Sequence, residues 1–219
     1  MNILIIGASG MVGQTVQTNC LKHAEVKQVH SVLRRSNGHT HPKLTQHLRD
    51  DFNDWQDMHD TLTNIDQVIF CLGAYTGSLT NDQFKKVTVD IPVQLGHQLL
   101  KANAKAGFIL LSGQGADTKE TSKVAFAKYK GMAENQLIAL GLGNFHSVRP
   151  SYIYPDTPRT EPNIAYRIYR IIYPLIKRLG TNFSVSSSHL AAVMVYLALH
   201  SDGRTILENK DIVGLRLND

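Results

Sequence analysis

The stretch Ile3-Leu4-Ile5-Ile6-Gly7-Ala8-Ser9-Gly10-Met11-Val12-Gly13 lies at the start of the 219-residue chain and sets its architecture. Consecutive apolar residues describe a strand covered on both faces, since alternation is expected only where one face meets water. A turn with three glycines follows, and residues 11–22 then read as a helix. In such a strand–turn–helix unit Gly7 permits the sharp bend, Gly10 lets the backbone approach a pyrophosphate, and Gly13 lets the helix lie close on the sheet. The helix start offers unpaired N–H groups and the positive end of its dipole. Gly7, Ser9, Gly10, Met11, Val12 and Gly13 are therefore expected to cradle the phosphates of a dinucleotide.

Outward from that unit the pattern repeats. Short apolar runs at 3–6, 29–33, 67–71, 108–111 and 147–148 read as buried strands, and 45–48 as a further one. Between them, 82–103 carries Phe84, Val87, Ile91, Leu95 and Leu99 at near-helical spacing, with Pro92 requiring a local adjustment. Residues 123–140 and 188–200 read as further helices. Alternating strands and helices predict a Rossmann-like, doubly wound parallel sheet with right-handed crossovers. At this length a single domain is expected over 1–219: a cofactor-binding core at 1–155 and a substrate-cleft region at 156–219. No repeat, low-complexity tract or linker interrupts it.

Composition narrows the function. Apolar residues make 42% and charged residues 19%, a globular balance that speaks against disorder. No apolar run reaches the roughly 18 residues that span a bilayer. The opening apolar stretch runs into the glycine turn without a basic leader or small-residue cleavage site, so it reads as a structural strand. The two cysteines, Cys20 and Cys71, follow no metal or disulfide spacing, and a reducing compartment, the cytoplasm, is expected. The net charge of +5 suits an anionic partner. With no long basic run, zinc-finger spacing or RNA-binding aromatic signature, a dinucleotide accounts for that charge and nucleic acid is not expected. His39 and His41 lie in a polar loop with no third ligand at a telling distance, so no metal site is expected.

The choice of cofactor is written after the second strand. A site for NAD(H) places a carboxylate there for the ribose 2′-hydroxyl, whereas one for NADP(H) accommodates the 2′-phosphate with an arginine. This chain has Leu33-Arg34-Arg35-Ser36 and no carboxylate until Asp50. A guanidinium forks onto phosphate and a carboxylate repels it, so Arg34 and Arg35 favour NADP(H) over NAD(H).

The Gly-x-x-Gly-x-x-Gly spacing resembles the short-chain dehydrogenase/reductase superfamily, and further motifs recur in order. These are Asp51-Phe52, Phe70-Cys71-Leu72-Gly73, Val89-Asp90, Leu110-Leu111-Ser112-Gly113-Gln114-Gly115-Ala116-Asp117, Lys130-Gly131-x-x-Glu134 and Arg149-Pro150. Together they look most like the atypical NAD(P)-binding branch that includes NmrA-like regulators and Tat-interacting-protein-like oxidoreductases. The resemblance covers about residues 2–155. It implies that Asp51 and Phe52 contact the adenine and that Cys71, Leu72 and Gly73 line the cofactor, with Pro150 closing the same set. It also implies that Ser112 polarises a substrate carbonyl while Lys130 holds the ribose. In the family's active enzymes a tyrosine four residues before that lysine exchanges the proton; here the position is Phe126, which has none to exchange. Three readings stay open: Tyr129 supplies a hydroxyl, although one residue from Lys130 it points about 100° away on a helix; hydride passes to an acceptor such as a quinone or flavin that needs no side-chain acid; or the protein binds NADP(H) without turnover and a regulatory protein partner reads the bound state.

The segment 155–179 is of another kind. After Pro155, Pro158 and Pro162, an Ile/Leu stripe (Ile164, Ile168, Ile171, Ile172, Leu175, Leu179) runs beside Tyr166, Tyr169 and Tyr173, with four basic residues off it. This suits a helix on the sheet, a wall for a small-molecule substrate, a homodimer interface or a membrane-surface contact. Pro174 speaks against the last.

Overall fold

The computed structural model describes residues 1–74, 79–156 and 183–217. Strand β1 (Asn2–Ile6) pairs in parallel with β2 (Gln28–Leu33) on one side and with β4 (Gln67–Phe70) on the other, with Ile6 opposite both Val32 and Phe70. Strand β3 (Leu44–Leu48) extends the β2 edge, while β5 (Gly107–Leu111), β6 (Asn144–Arg149) and β9 (Ile206–Glu208) extend the β4 side, giving the order β3-β2-β1-β4-β5-β6-β9. All six pairings are parallel. The chain therefore runs outward from β1 in one direction, then returns and runs outward in the other. The reversal opens a crevice between the carboxyl ends of β1 and β4.

Side chains alternate across the sheet, and both faces are covered. Ile3 and Ile5 pack with Val12, Val16 and Cys20 of α1 (Met11–Lys22) and with Leu190, Val193, Met194 and Leu197 of α6 (Ser187–Leu199). Leu4 and Ile6 pack on the other face with Leu95 and Leu99 of α4 (Ile91–Ala102) and Ala133 and Leu137 of α5 (Ala125–Ala139). That double cover is why the strands read as unbroken apolar runs, and it confirms the doubly wound parallel sheet expected from them.

The long helix expected over 82–103 is divided. Helix α3 (Asn81–Lys85), capped by Thr80, passes through a π-helical turn over Lys86–Asp90 into α4. Pro92 has no N–H to give to the residue four positions back, and the widened turn before it absorbs that missing bond. Elements too short to carry a readable period also appear: α2 (His59–Thr63), β7 (Tyr152–Tyr154), β8 (Ser184–Ser186) and α7 (Asn209–Gly214). Strands β7 and β8 form a separate parallel pair beyond β6, with Tyr152 opposite Ser184. The Ile164–Leu179 stripe and its tyrosines lie outside the described residues. No helix among the described residues is long and apolar enough to cross a membrane.

Candidate functional site

The glycine turn does locally what its residues require. Gly7 takes a φ of +86°, in the left-handed region, and a Cβ there would come within 2.7 Å of the Leu72 amide nitrogen. A Cβ on Gly13 would come within 2.2 Å of the Gly7 carbonyl oxygen, so the first turn of α1 lies directly on the bend. Gly10 caps α1 without any side-chain hydrogen bond, and no acidic residue stands in the first turn. The leading N–H groups of a twelve-residue helix are thus left for an anion. That uncapped end is an observation of this chain that fits a dinucleotide pyrophosphate.

Above it lies a cleft of about 340 Å³ walled by Gly10, Met11 and Val12 from the turn, Cys71, Leu72 and Gly73 after β4, and Ser112 after β5. Phe126 and Lys130 of α5, with Pro150, Ser151, Tyr152 and Ile153 after β6, complete it. Residues from five separate parts of the chain meet here because all are at carboxyl ends of strands or at the start of the helix that follows. A larger hollow, about 530 Å³, lies at the other end of α1 between His23, Glu25, Tyr196 and His200. It has no glycine turn or helix N-terminus, so the smaller cleft is the site with chemistry.

Lys130 Nζ donates to the Leu111 carbonyl at 2.9 Å. Burial lowers its pKa to about 8, against the opposing pull of Glu134 and Cys71. The Cys71 thiol is pushed up to about 12 by burial. Phe126 sits on Gly113, where an added Cβ would meet the ring at 2.5 Å. Behind this wall is a buried polar network that the sequence motifs contained but whose contacts could not be read from them. Glu134, fully buried, accepts from Ser112 Oγ at 2.6 Å, Ser147 Oγ at 2.7 Å and Arg149 Nε at 2.9 Å. Arg149 also pairs through Nη2 with the second oxygen of Glu134, and through Nη1 with Glu208 at 2.8 Å. These bonds hold the Arg149 guanidinium firmly protonated.

The expected site residues fall into two groups. Gly10, Met11, Val12, Cys71, Leu72, Gly73, Ser112, Lys130 and Pro150 share the cleft, with Gly7 and Gly13 packed beneath it. Arg34 and Arg35 do not line it; they stand exposed just past the end of β2, the strand that pairs with β1. Asp51 is exposed, and hydrogen bonds from Asn53, the backbone amide first, hold its carboxyl below the usual range. Phe52 is buried against Trp55, ring centroids 6.2 Å apart, so its ring serves the core and only its backbone is left for a ligand. Tyr129 does not line the cleft: its ring lies on Phe84, and its hydroxyl accepts from Asn81 Nδ2 at 2.8 Å. Tyr152 was missed. It follows Pro150 with no motif of its own and lines the cleft from the three-residue strand β7.

Comparison with known proteins agrees with this geometry. Residues 3–129 match the family model described as "NAD dependent epimerase/dehydratase family". Protein fmp52, mitochondrial, of Emericella nidulans is 28% identical over 169 residues, covering 74% of this chain and 70% of its own. Protein FMP52, mitochondrial, of Saccharomyces cerevisiae is 24% identical over 230 residues, covering 98% and 96%. Among solved structures, the Bordetella bronchiseptica enzyme WbmH in complex with NAD+ superposes with a TM-score of 0.71 at 14% identity, covering 94% of this chain and 74% of that one, a likeness of fold alone. The relatives' names overturn the expected cytoplasmic location. Two free cysteines speak only against a disulfide framework and do not tell one reducing compartment from another. With its glycine turn, crevice and matched region in agreement, the chain belongs to the NAD dependent epimerase/dehydratase family.

Proposed function

We propose that this protein is an NADP(H)-dependent oxidoreductase of the atypical short-chain dehydrogenase/reductase branch, acting on a small molecule. The observation that carries the reading is the uncapped N-terminus of α1 opening onto the cleft that also holds Lys130. Gly7, Ser9, Gly10, Met11, Val12 and Gly13 would hold the pyrophosphate, and Arg34 and Arg35 the 2′-phosphate. The Asp51-Phe52 backbone would border the adenine, Cys71 to Gly73 and Pro150 the nicotinamide end, and Lys130 the ribose. When bound, the nicotinamide supplies or accepts a hydride. Ser112 contributes as a positioning residue, because its proton is directed to Glu134 and not into the cleft. The region after 156 would complete the substrate wall. The setting carried over from the relatives' names is mitochondrial.

Calorimetric titration with NADPH and NADH tests the cofactor assignment. Replacing Arg34 and Arg35 together by Ala is expected to weaken NADPH binding by roughly 1.5–3 kcal/mol for each charged hydrogen bond lost. NADH binding should hardly change. Equal losses for both cofactors, or no binding of either to the parent protein, would sink this reading.

Phe126 favours a second reading, a non-catalytic NADP(H)-binding sensor read by a protein partner. Tight NADPH binding without turnover of aldehydes, ketones or quinones would select it over the enzyme.

A further inference from the structure

Two groups of the cleft wall could release a proton into it, Lys130 and the Tyr152 phenol, which the variants below tell apart; the others are spent elsewhere. Phe126 has none. Ser112 donates to Glu134 at 2.6 Å, and Ser151 donates to the Phe183 carbonyl at 2.9 Å. Tyr129 accepts from Asn81 outside the wall. The Cys71 thiol, held near 12 by burial, is a poor acid at neutral pH. Lys130 differs from all of these. An ammonium carries three N–H bonds, and Leu111 takes one at 2.9 Å. Among the described residues no other acceptor takes the remaining protons, and Glu134, one turn further along α5, is occupied by Arg149 and two serines. Lys130 shares its helix face with Phe126, four residues earlier, and both line the cleft. The anchor on Leu111 fixes the ammonium at the carboxyl end of β5, beside the position left without a hydroxyl.

We propose that Lys130 is itself the catalytic acid of this cleft, giving its Nζ proton to the oxygen of a small aldehyde or ketone as that carbonyl is reduced. The inference rests on the NADP(H) oxidoreductase reading and deepens it. The carbonyl carbon accepts a hydride from the reduced nicotinamide, which is thereby oxidised. The C=O π pair moves onto the oxygen, which takes a proton from Lys130 Nζ and becomes an alcohol. The neutral amine that remains is reprotonated by water. Groups facing Lys130 set the pH range: Glu134 on the same helix and Cys71 after β4 both favour the charged form, burial opposes them, Tyr152 brings a phenol from β7, and the first turn of α1 brings no carboxylate. Turnover should therefore be level at neutral pH and fall as pH rises past about 8, where the ammonium is lost.

The test compares the parent protein with Lys130→Arg, Lys130→Met and Tyr152→Phe. NADPH affinity is measured by calorimetry, and NADPH oxidation is then followed with benzaldehyde and cyclohexanone across pH 6 to 10. Arginine keeps a permanent cation for the ribose but has no proton to give, so Lys130→Arg should bind NADPH nearly as the parent does. Its kcat should fall by about 10²–10⁴-fold, the usual worth of a positioned acid. Tyr152→Phe, which removes the one phenol of the wall, should still show turnover that falls past about pH 8, since Lys130 still supplies the proton. Lys130→Arg turning over like the parent, a parent profile flat past pH 8, or loss of that fall in Tyr152→Phe would overturn the assignment. So would a parent that binds NADPH but turns over no faster than Lys130→Met. Failure of the parent to bind NADPH is a separate result, which removes the cofactor reading and this inference with it.

Discussion

At the scale of single residues, Glu134 has the largest structural consequence for the site. Its carboxylate is fully buried and accepts four hydrogen bonds, and the Arg149 side chain that supplies two of them is only 11% exposed. A buried ion pair adds little net stability when whole, yet removing one partner leaves an uncompensated charge in a poor dielectric. Glu134→Ala is accordingly expected to destabilise the protein by about 3–5 kcal/mol. Ser112→Ala, which removes one hydrogen bond to a charged group, should cost less, about 1–3 kcal/mol. Urea unfolding of the two variants gives the comparison, and similar small losses would mean that Arg149 finds another partner or water. The network also explains why Ser112, in the position where the family places a carbonyl-polarising hydroxyl, faces a structural carboxylate here.

At the scale of elements, α5 carries Phe126, Lys130 and Glu134 and must be held at a fixed depth against the loop after β5. Gly131 sets that depth, because a Cβ there would lie 1.8 Å from the Asp117 carbonyl oxygen. Asp117 is itself tied down, accepting from the amides of Lys119, Thr121 and Ser122, and these bonds hold its carboxyl below the usual range. Neither side yields cheaply, since the obstacle is backbone. Gly131→Ala should cost about 1–3 kcal/mol by overpacking. It should also weaken NADPH binding by displacing Lys130, which a melting curve and a calorimetric titration read separately. A loss of stability with cofactor affinity untouched would show that the helix shifts without moving the site.

At the scale of the whole molecule, the pH dependence of stability follows from a histidine pair away from the cleft and from two thiols, one of which, Cys71, lines it. His30 of β2 and His47 of β3 approach to 3.0 Å between ring nitrogens, with ring centroids 5.3 Å apart. Burial lowers both pKa values below 6.5, helped by the charge of His47 on His30 and of Arg49 on His47. A histidine with a depressed folded value binds a proton more readily when unfolded, so its contribution is complete above 6.5 and is lost as pH falls below it. The two thiols act at the other end. With Cys20 and Cys71 raised from 9.0 to about 12, stability should decline as pH climbs past 9. Urea midpoints at pH 7, 6 and 5 should drop steadily in the parent and less steeply in His47→Gln, whose side chain does not titrate. An unchanged slope would assign the acid sensitivity to other groups.

Short-range pattern carries much of the architecture. The unbroken apolar runs, the Gly7 to Gly13 turn, the helical periods of 11–22 and 123–140 and the Pro92 irregularity each depend on neighbours within a turn or two. They sufficed for the parallel sheet and for the glycine turn that floors the cleft, whereas Cys71 to Gly73, Ser112, Lys130 and Pro150 were implied by the family resemblance, and Arg34 and Arg35 do not line the cleft. The tertiary structure decided which way each polar atom points. Ser112 and Glu134 are 22 residues apart and Arg149 and Glu134 are 15 apart, and no period links them. Tyr129, one residue from Lys130, binds Asn81, 48 residues away, and leaves the cleft, whereas Tyr152 enters it on a strand of three residues. A side chain's hydrogen-bond partner is fixed by which buried acceptor lies within about 3 Å once the layers have packed, and that is a property of the closed core and not of the local chain.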